Sequence, residues 1–168
     1  MRHTLKILLQ LRAEGALAEF AIGGAIAAAF YTPAVMTEDI DIFAILKPSA
    51  SGLLVLTPLF ERLKELGGRV ENEYVIIGKW PVQILPAYTP LVEEAVTHAV
   101  KRPFEDLLVH VVDANYLCAI ALQTGRDKDY QRIHTLIESG HVDADKLKTL
   151  IETYNLTERW KTYVRRFA

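Results

Sequence analysis

From residue 37 to 46 the chain reads TEDIDIFAIL, and polar and apolar positions alternate through Asp39, Ile40, Asp41 and Ile42. A period of two predicts a strand, with Asp39 and Asp41 projecting from one face and the isoleucines from the other. The stretch before it is patterned differently. Residues 20–22 (FAI) predict a short strand, and Gly23-Gly24 a turn where another group can approach the backbone without a Cβ in the way. The alanine-rich residues 25–31 predict a helix, closed by Pro33, because proline disfavours helical geometry in the residue before it. Upstream, residues 4–12 carry Leu5, Leu8 and Leu9 at helical spacing and Gly15 is a plausible stop.

Downstream the pattern continues to alternate between the two periods. Lys47, Pro48, Ser49, Ser51 and Gly52 read as a loop, and residues 53–66 as a helix with Leu56, Leu59, Phe60 and Leu63 on one face, closed by Gly67 and Gly68. Residues 69–77 and 81–85 predict two strands around a Gly78-Lys79 turn, the second with Val82 and Ile84 on one face and Gln83 on the other. Pro90 opens a helix over 90–100, and LLVHVV gives residues 103–112 the look of a buried strand. After Asp113, a candidate N-cap, the chain turns helical. Helices are expected over 114–124 (ended by Gly125), 128–138 (capped by Asp127, ended by Gly140) and two more capped by Asp143 and Thr157. The expectation is an α+β fold, a mixed sheet flanked by helices, with residues 1–112 as its core and 113–168 as a helical segment packed on it in one unit.

Composition removes several function classes. At 168 residues the chain is long enough for one domain with its own core, and 51% hydrophobic with 24% charged residues is a folded rather than a disordered balance. A net charge of -2 argues against wholesale nucleic-acid binding and leaves only a local patch for it. Cys118 is the single cysteine, so neither an intramolecular disulfide nor a cysteine metal cluster can form, and a cytoplasmic setting is expected. The N-terminus lacks a signal-peptide cleavage pattern. The apolar run 20–31 is too short to span a bilayer, so no membrane partner is expected.

The paired aspartates carry the candidate chemistry. Two carboxylates two residues apart on a strand stand roughly 7 Å apart at Cα, where they repel and resist ionisation. A hard divalent cation would relieve both problems and would also attract phosphate oxygens. The alternative is an exposed edge strand whose polar face happens to hold two aspartates, just as the glycine pair alone could be a tight turn. Other positions read more plainly. His110 between valines reads as a satisfied core histidine, and His3, His98, His134 and His141 show no ligand spacing. Cys118 lies on an apolar helix face with Leu117 and Leu122 and reads as buried and inert. Ser49 and Ser51 lack any histidine and acid at hydrolase-like positions. Arg159, Lys161, Arg165 and Arg166 interleave with Trp160, Tyr163 and Phe167, either an amphipathic terminal helix packed by its aromatics or an RNA-facing patch.

Gly23-Gly24 followed by TEDIDIF resembles the signature of the nucleotidyltransferase superfamily that includes DNA polymerase beta. Within it the chain is similar to small bacterial proteins grouped with the nucleotidyltransferase toxins of abortive-infection systems. GKWPVQILPAYTPLVEEAV and VVDANYLCAIALQTGRDKDYQRIHTLI extend the resemblance over residues 18–140. It implies transfer of a nucleoside monophosphate from a nucleoside triphosphate to a hydroxyl, with RNA, tRNA or a partner protein as acceptor. Asp39 and Asp41 would hold Mg2+ (or Mn2+) for an in-line, metal-assisted displacement. Gly23 and Gly24 would hold the triphosphate through backbone N–H groups, and Thr37, Arg126, Lys128 and Asp129 would complete the nucleotide site. Two positions depart from the family pattern. The usual third carboxylate, catalytic base or second metal ligand, is matched by Gln83, which cannot ionise, and a lysine of many relatives is matched by Ala121. The departures open a second reading, a nucleotide-binding or regulatory protein, or a toxin-antitoxin component, without turnover. Glu38, Glu73 and Asp129 are the carboxylates that could reach the place Gln83 leaves.

Overall fold

The computed structural model describes residues 1–33, 37–46 and 56–167. The expected loop residues Lys47, Pro48, Ser49, Ser51 and Gly52, and the first turn of the helix expected at 53–66, lie outside the described residues.

Among the described residues, seven strands form one mixed sheet and eight helices surround it, an α+β architecture. In chain order the elements are α1 (Arg2–Ala13), β1 (Glu19–Ile22), α2 (Gly24–Ala28), β2 (Ile40–Ile45), α3 (Thr57–Glu65), β3 (Arg69–Glu71), β4 (Tyr74–Ile77) and β5 (Trp80–Pro86). They continue with α4 (Pro90–Thr97), β6 (Val100–Phe104), β7 (Leu107–Val111), α5 (Ala114–Thr124), α6 (Asp127–Glu138), α7 (Ala144–Thr153) and α8 (Thr157–Phe167). The strand order is β3-β4-β5-β2-β1-β7-β6. At its centre β2 runs antiparallel to β1 and parallel to β5. Ile40, Ile42 and Ala44 alternate inward along β2 and are fully buried, as are Val82 of the neighbouring β5 and Val75 of β4 beyond it. Leu5, Leu8 and Leu11 of α1 and Leu63 of α3 belong to the same hydrophobic cluster, and each such buried side chain stabilises the fold by about 1.5–3 kcal/mol. That cluster runs on without a break into Leu117, Leu122, Ile133, Leu136, Leu147 and Tyr163 of the C-terminal helices.

Several sequence expectations are corrected. Residues 69–77 are not one strand: Asn72, at φ 54, turns the chain between β3 and β4. Residues 100–112 fold into the β6–β7 hairpin around Glu105 (φ 52), so the helix expected to reach residue 100 ends at Thr97. The apolar run LLVHVV read as a strand buried on both faces, whereas β7 alternates, with Val109 and Val111 buried and Leu108 exposed. Helix α2 is shorter than 25–31. Phe30 and Tyr31 N–H groups bond three residues back to Ala27 and Ala28, tightening the chain before Pro33, while the Tyr31 hydroxyl donates to Val112 O at 3.0 Å. Alanine propensity cannot extend so short a helix against tertiary anchoring of that kind. Arg126, not Asp127, caps α6, and Thr157 is the first residue of α8 rather than its cap.

Other local signals appear where they were read. Asp113 accepts from Asn115 N (3.0 Å) to start α5, and Gly125 ends it at φ 70. Asp143 accepts from Lys146 N at 2.9 Å to start α7. One contact ties three helices that no pattern connects: the Glu94 carboxylate of α4 accepts from the hydroxyls of Tyr116 in α5 and Tyr154 in α7.

Candidate active site

The cavity forms where the central strands face away from α1 and α3. Asp41 of β2 stands in register with Gln83 of β5, and Gln83 with Tyr74 of β4, so one row of three polar side chains crosses the sheet on a single face. These three, with Thr37, Asp39, Gly24 and Ala25, line a cavity of about 720 Å³. Its opposite wall is Leu117, Ile120 and Ala121 of α5 and Arg126, Lys128, Asp129 and Arg132 around the start of α6.

The glycine pair explains how the two aspartates are held. Gly24 adopts φ +55, and a Cβ there would lie 1.8 Å from Asp41 Oδ2. A Cβ on Gly23 would lie 2.4 Å from the ring of Phe43, the next residue on the same face of β2. The pair is therefore needed first by side chains of β2 that press onto it. The Gly23 N–H donates to Asp41 O at 2.8 Å, so it is spent in the sheet and is not free for a phosphate. Of the pair, only Gly24 lines the cavity, which corrects the expectation for Gly23.

Asp39 is also placed differently from the simple alternation. Strand β2 begins at Ile40, and Asp39 sits in the bend before it. Thr37 fixes that bend: its hydroxyl donates to Asp39 Oδ1 at 2.5 Å. Asp39 reaches the cavity beside Asp41 through this local turn rather than through a pleat. Burial first, then the neighbouring Asp39 charge, pushes the Asp41 carboxyl above its ordinary range, while Arg132, Lys128 and Arg126 pull the other way.

The basic wall depends on one buried carboxylate. Asp129 is 1% exposed and accepts from the Arg126 backbone N–H (3.2 Å), Arg126 Nε (2.7 Å) and Arg132 Nη1 (3.3 Å). It is the third residue of α6, and its carboxylate caps the helix start by accepting from the Arg126 N–H. Asp129 thus orients the arginines, and it is too committed to stand in for a missing third acid. Glu38 lines only an adjoining groove, and Glu73 lies in the exposed β3–β4 turn and lines neither space. Among the described residues no group of three or more His, Cys, Asp or Glu is arranged to hold a metal ion.

Two wall residues were missed in the sequence. Arg132 lies one helical turn beyond Lys128 and three residues beyond Asp129, a spacing that puts it on the cavity side of α6. Tyr74 was hidden inside a supposed long strand, although the two-residue Gly78-Lys79 turn by itself dictates that it face Gln83. Burial, then the charges of Asp39, Glu73 and Asp41, hold the Tyr74 phenol above its ordinary pKa.

Other candidates fall away from the cavity. His110 is half-buried and its Nδ1 accepts from Arg12 Nη1 at 3.0 Å, so burial and the guanidinium keep it below its ordinary pKa. Cys118 is buried. Trp160, Tyr163 and Phe167 stack in series along α8 against the core, so the aromatics are packing residues. Arg166 pairs with Asp127 (2.6 Å) and the Arg159 guanidinium lies over Gly125, which fastens α8 to the α5–α6 turn behind the basic wall. None of the described helices is long and apolar enough to cross a membrane.

A cavity on the open face of a mixed sheet, with a carboxylate pair on the central strand and arginines opposite, sits in a fold shared with nucleotidyltransferases. No family model matches the chain, and no curated protein matches its sequence. Solved structures do match. ANT(2'')-Ia, an antibiotic-resistance factor studied in solution, superposes with a TM-score of 0.58 at 16% identity, over 98% of this chain and 96% of that one. The crystal structure of ANT(2'')-Ia in complex with adenylyl-2''-tobramycin gives 0.56 at 18% identity, over 98% and 97%. An antigenic nucleotidyltransferase-like protein from Paracoccidioides brasiliensis gives 0.56 at 13% identity, over 95% and 91%. The chain has the nucleotidyltransferase fold.

Proposed function

We propose that the protein binds a nucleoside triphosphate with Mg2+ or Mn2+ and transfers the nucleoside monophosphate to an acceptor hydroxyl. The observation that carries this reading is the split cavity: two carboxylates, Asp39 and Asp41, face three cations, Arg126, Lys128 and Arg132, across one space. The donor set suits a hard cation. Two oxygen-donating carboxylates with like charges, one of them resisting ionisation, are what a magnesium ion shared with substrate phosphates would satisfy. Such an ion would neutralise developing charge and lower the pKa of a bound hydroxyl. The chain's own residues do the rest. Arg126, Lys128 and Arg132 hold the phosphate oxygens, and Gly24 leaves the room in which the Asp41 carboxylate sits. The acceptor oxygen bonds to the α-phosphorus as the bond from that phosphorus to the bridging oxygen breaks. Pyrophosphate leaves with the bonding pair, and the acceptor proton passes to solvent.

The ANT(2'')-Ia complex contains a nucleotide joined to tobramycin, which supports nucleotidyl transfer as the chemistry for which this fold is used. RNA, tRNA or a partner protein as acceptor, and a toxin or antitoxin role, rest on the abortive-infection resemblance alone. The test is incubation of purified protein with Mg2+, each labelled triphosphate and a mixture of RNA, cell lysate and small hydroxyl compounds. Label should move to an acceptor, and Asp39→Ala and Asp41→Ala should each abolish it. Transfer that survives either substitution, or nucleotide binding absent by calorimetry, overturns the proposal.

A second reading, nucleotide binding without turnover, is favoured by Gln83. It stands beside Asp41 in the register where a third acid is expected, and neither Glu38 nor Glu73 reaches the same cavity. Loss of a catalytic base costs about 10²–10⁴ in rate. Binding without transfer in the natural chain, with transfer gained in Gln83→Asp, would establish this reading over the first.

A further inference from the structure

Two of the three cavity cations flank a carboxylate that is turned the other way. Arg126, Lys128 and Asp129 line the cavity, whereas Asp127, between Arg126 and Lys128, does not. It is held from behind. Arg166 of α8 donates from Nη1 to Asp127 Oδ1 at 2.6 Å, and the same guanidinium lies 6.0 Å from the ring of Tyr130, one turn further along α6. On the α5 side of the turn the Arg159 guanidinium packs on Gly125, where a Cβ would lie 2.4 Å from its Nη1. Gly125 ends α5 at φ 70, so the missing side chain serves both the left-handed backbone and the approach of a cation to the carbonyl end of that helix.

The helix that supplies both arginines is lightly seated. Of the 11 residues of α8 only Tyr163 is buried, whereas α5, of the same length, buries most of its residues, from Ala114 through Ala119 and again at Ala121 and Leu122. Trp160, Tyr163 and Phe167 stack along the inner face of α8, and His134 of α6 stacks on Phe167 at 5.0 Å. An element with so little buried surface opens at a lower free energy than the core, so α8 can leave and return while the sheet stays folded. When Arg166 leaves, the Asp127 carboxylate is released between Arg126 and Lys128, where it competes with phosphate for both.

We infer that Arg166 and Arg159 are positioning residues for the phosphate-binding wall, and that α8 is a strap whose seating on the α5–α6 turn regulates triphosphate affinity. Arg166 draws the Asp127 charge out of the cavity, and Arg159 fixes the turn from which Arg126 projects. The inference rests on the nucleotide-binding part of the proposed function and adds its regulation. By linkage, whatever seating of α8 does for triphosphate affinity, bound triphosphate does by the same factor for the seating of α8.

Hydrogen exchange of the full, nucleotide-free chain tests the strap without any ligand. Arg166→Glu should speed exchange about fivefold, the scale of an exposed ion pair, in α8 and at the Gly125, Asp129 and Tyr130 amides, and leave β1 and β2 unchanged. Calorimetry with Mg2+ and a non-hydrolysable ATP analogue tests the consequence. Arg166→Glu should weaken analogue binding about fivefold and leave binding of the corresponding nucleoside unchanged, which also shows that the variant is folded. Arg159→Ala should act in the same direction. The pair is then reversed. Adding Arg166→Glu to Asp127→Arg should tighten analogue binding relative to Asp127→Arg alone, whereas a mere change in net charge weakens it in both backgrounds. In the natural chain the analogue, but not the nucleoside, should slow exchange of α8. Unchanged exchange at the α5–α6 turn in Arg166→Glu overturns the strap whether or not nucleotide binds. Faster exchange there, with no analogue binding by the natural chain, overturns the nucleotide reading and the regulation with it. Analogue affinity that is indifferent to Arg166→Glu, or weakened by it in both backgrounds, overturns the inference while the nucleotide reading stands.

Discussion

On the sheet side of the cavity, Asp41 stands on a strand bonded to neighbours on both edges, and its carboxylate is pressed against Gly24. On the helix side, Arg126 and Lys128 are exposed, and the wall is held by the buried Asp129 carboxylate, which accepts from the Arg126 N–H and from the Arg126 and Arg132 guanidiniums. The first wall is fixed by packing, where sub-ångström changes meet a dense interior. The second is fixed by a few charge-assisted hydrogen bonds at a helix start, where side chains keep rotamer freedom. A site of this kind holds its metal-seeking carboxylates rigidly and lets its phosphate-seeking cations adapt, an economical division when the phosphate tail changes shape during transfer.

The sharpest way to break that contrast is to give the rigid wall one extra carbon. Gly24→Ala places a methyl where Asp41 Oδ2 now sits and imposes a left-handed backbone on alanine. The backbone term costs about 1–2 kcal/mol, and displacement of Asp41 should remove transfer activity altogether. Thermal unfolding and a transfer assay on one preparation separate the two effects. A variant that is fully active would show that the carboxylate position is not set by packing.

The adaptable wall should respond more mildly. Asp129→Asn keeps the shape but removes the charge that gathers Arg126 and Arg132. Loss of one cap costs about 0.5–2 kcal/mol of stability. Nucleotide affinity should fall by about tenfold as the arginines disperse. Calorimetry with a triphosphate and with the corresponding nucleoside checks the origin of the loss. The nucleoside, which carries no phosphate, should bind equally well to both proteins; an equal loss for both ligands would place the effect in the fold instead of the phosphate contacts.

The same contrast decides what the sequence made legible. Asp41 and the glycine pair could be read because strand period and glycine placement are local, strict signals, whereas Asp39 lies in the bend before β2 and does not follow the period from which its place was expected. The helix caps at Asp113, Asp143 and Gly125 were legible for the same reason. The reason for the glycines was not: that Phe43 and Asp41 lean on them is a tertiary fact, and it removes Gly23 N–H from ligand binding. Asp129 read as a ligand because a charged residue near a basic turn looks available, and only its 1% exposure reveals it as the anchor of that turn. Tyr74 was overlooked because residues 69–77 carry no glycine or proline to mark the turn at Asn72, although the Gly78-Lys79 turn already sets its register against Gln83. The β6–β7 turn at Glu105 likewise carries no glycine, which concealed that hairpin.

The smallest expected effect concerns stability, and it runs opposite to activity. Without metal, Asp41 ionises at a cost, because burial and the Asp39 charge hold its pKa above the ordinary 3.8. A raised folded-state value means that the stability contribution is complete below the unfolded pKa and is lost as pH rises through the folded one. At pH 7 the ionised carboxylate is therefore a burden on the metal-free fold. Asp41→Asn, which preserves shape and cannot ionise, should raise the unfolding midpoint at pH 7 in EDTA while abolishing transfer. Its advantage should shrink as pH is lowered toward the ordinary carboxylate range, where the native side chain is neutral too. Added Mg2+ should stabilise the natural chain and leave the variant less affected, since only the first keeps both carboxylates. If Asp41→Asn is destabilising at pH 7 in EDTA, the carboxylate is satisfied by the protein itself, and the rigid wall is a structural ion cluster with no demand for a metal.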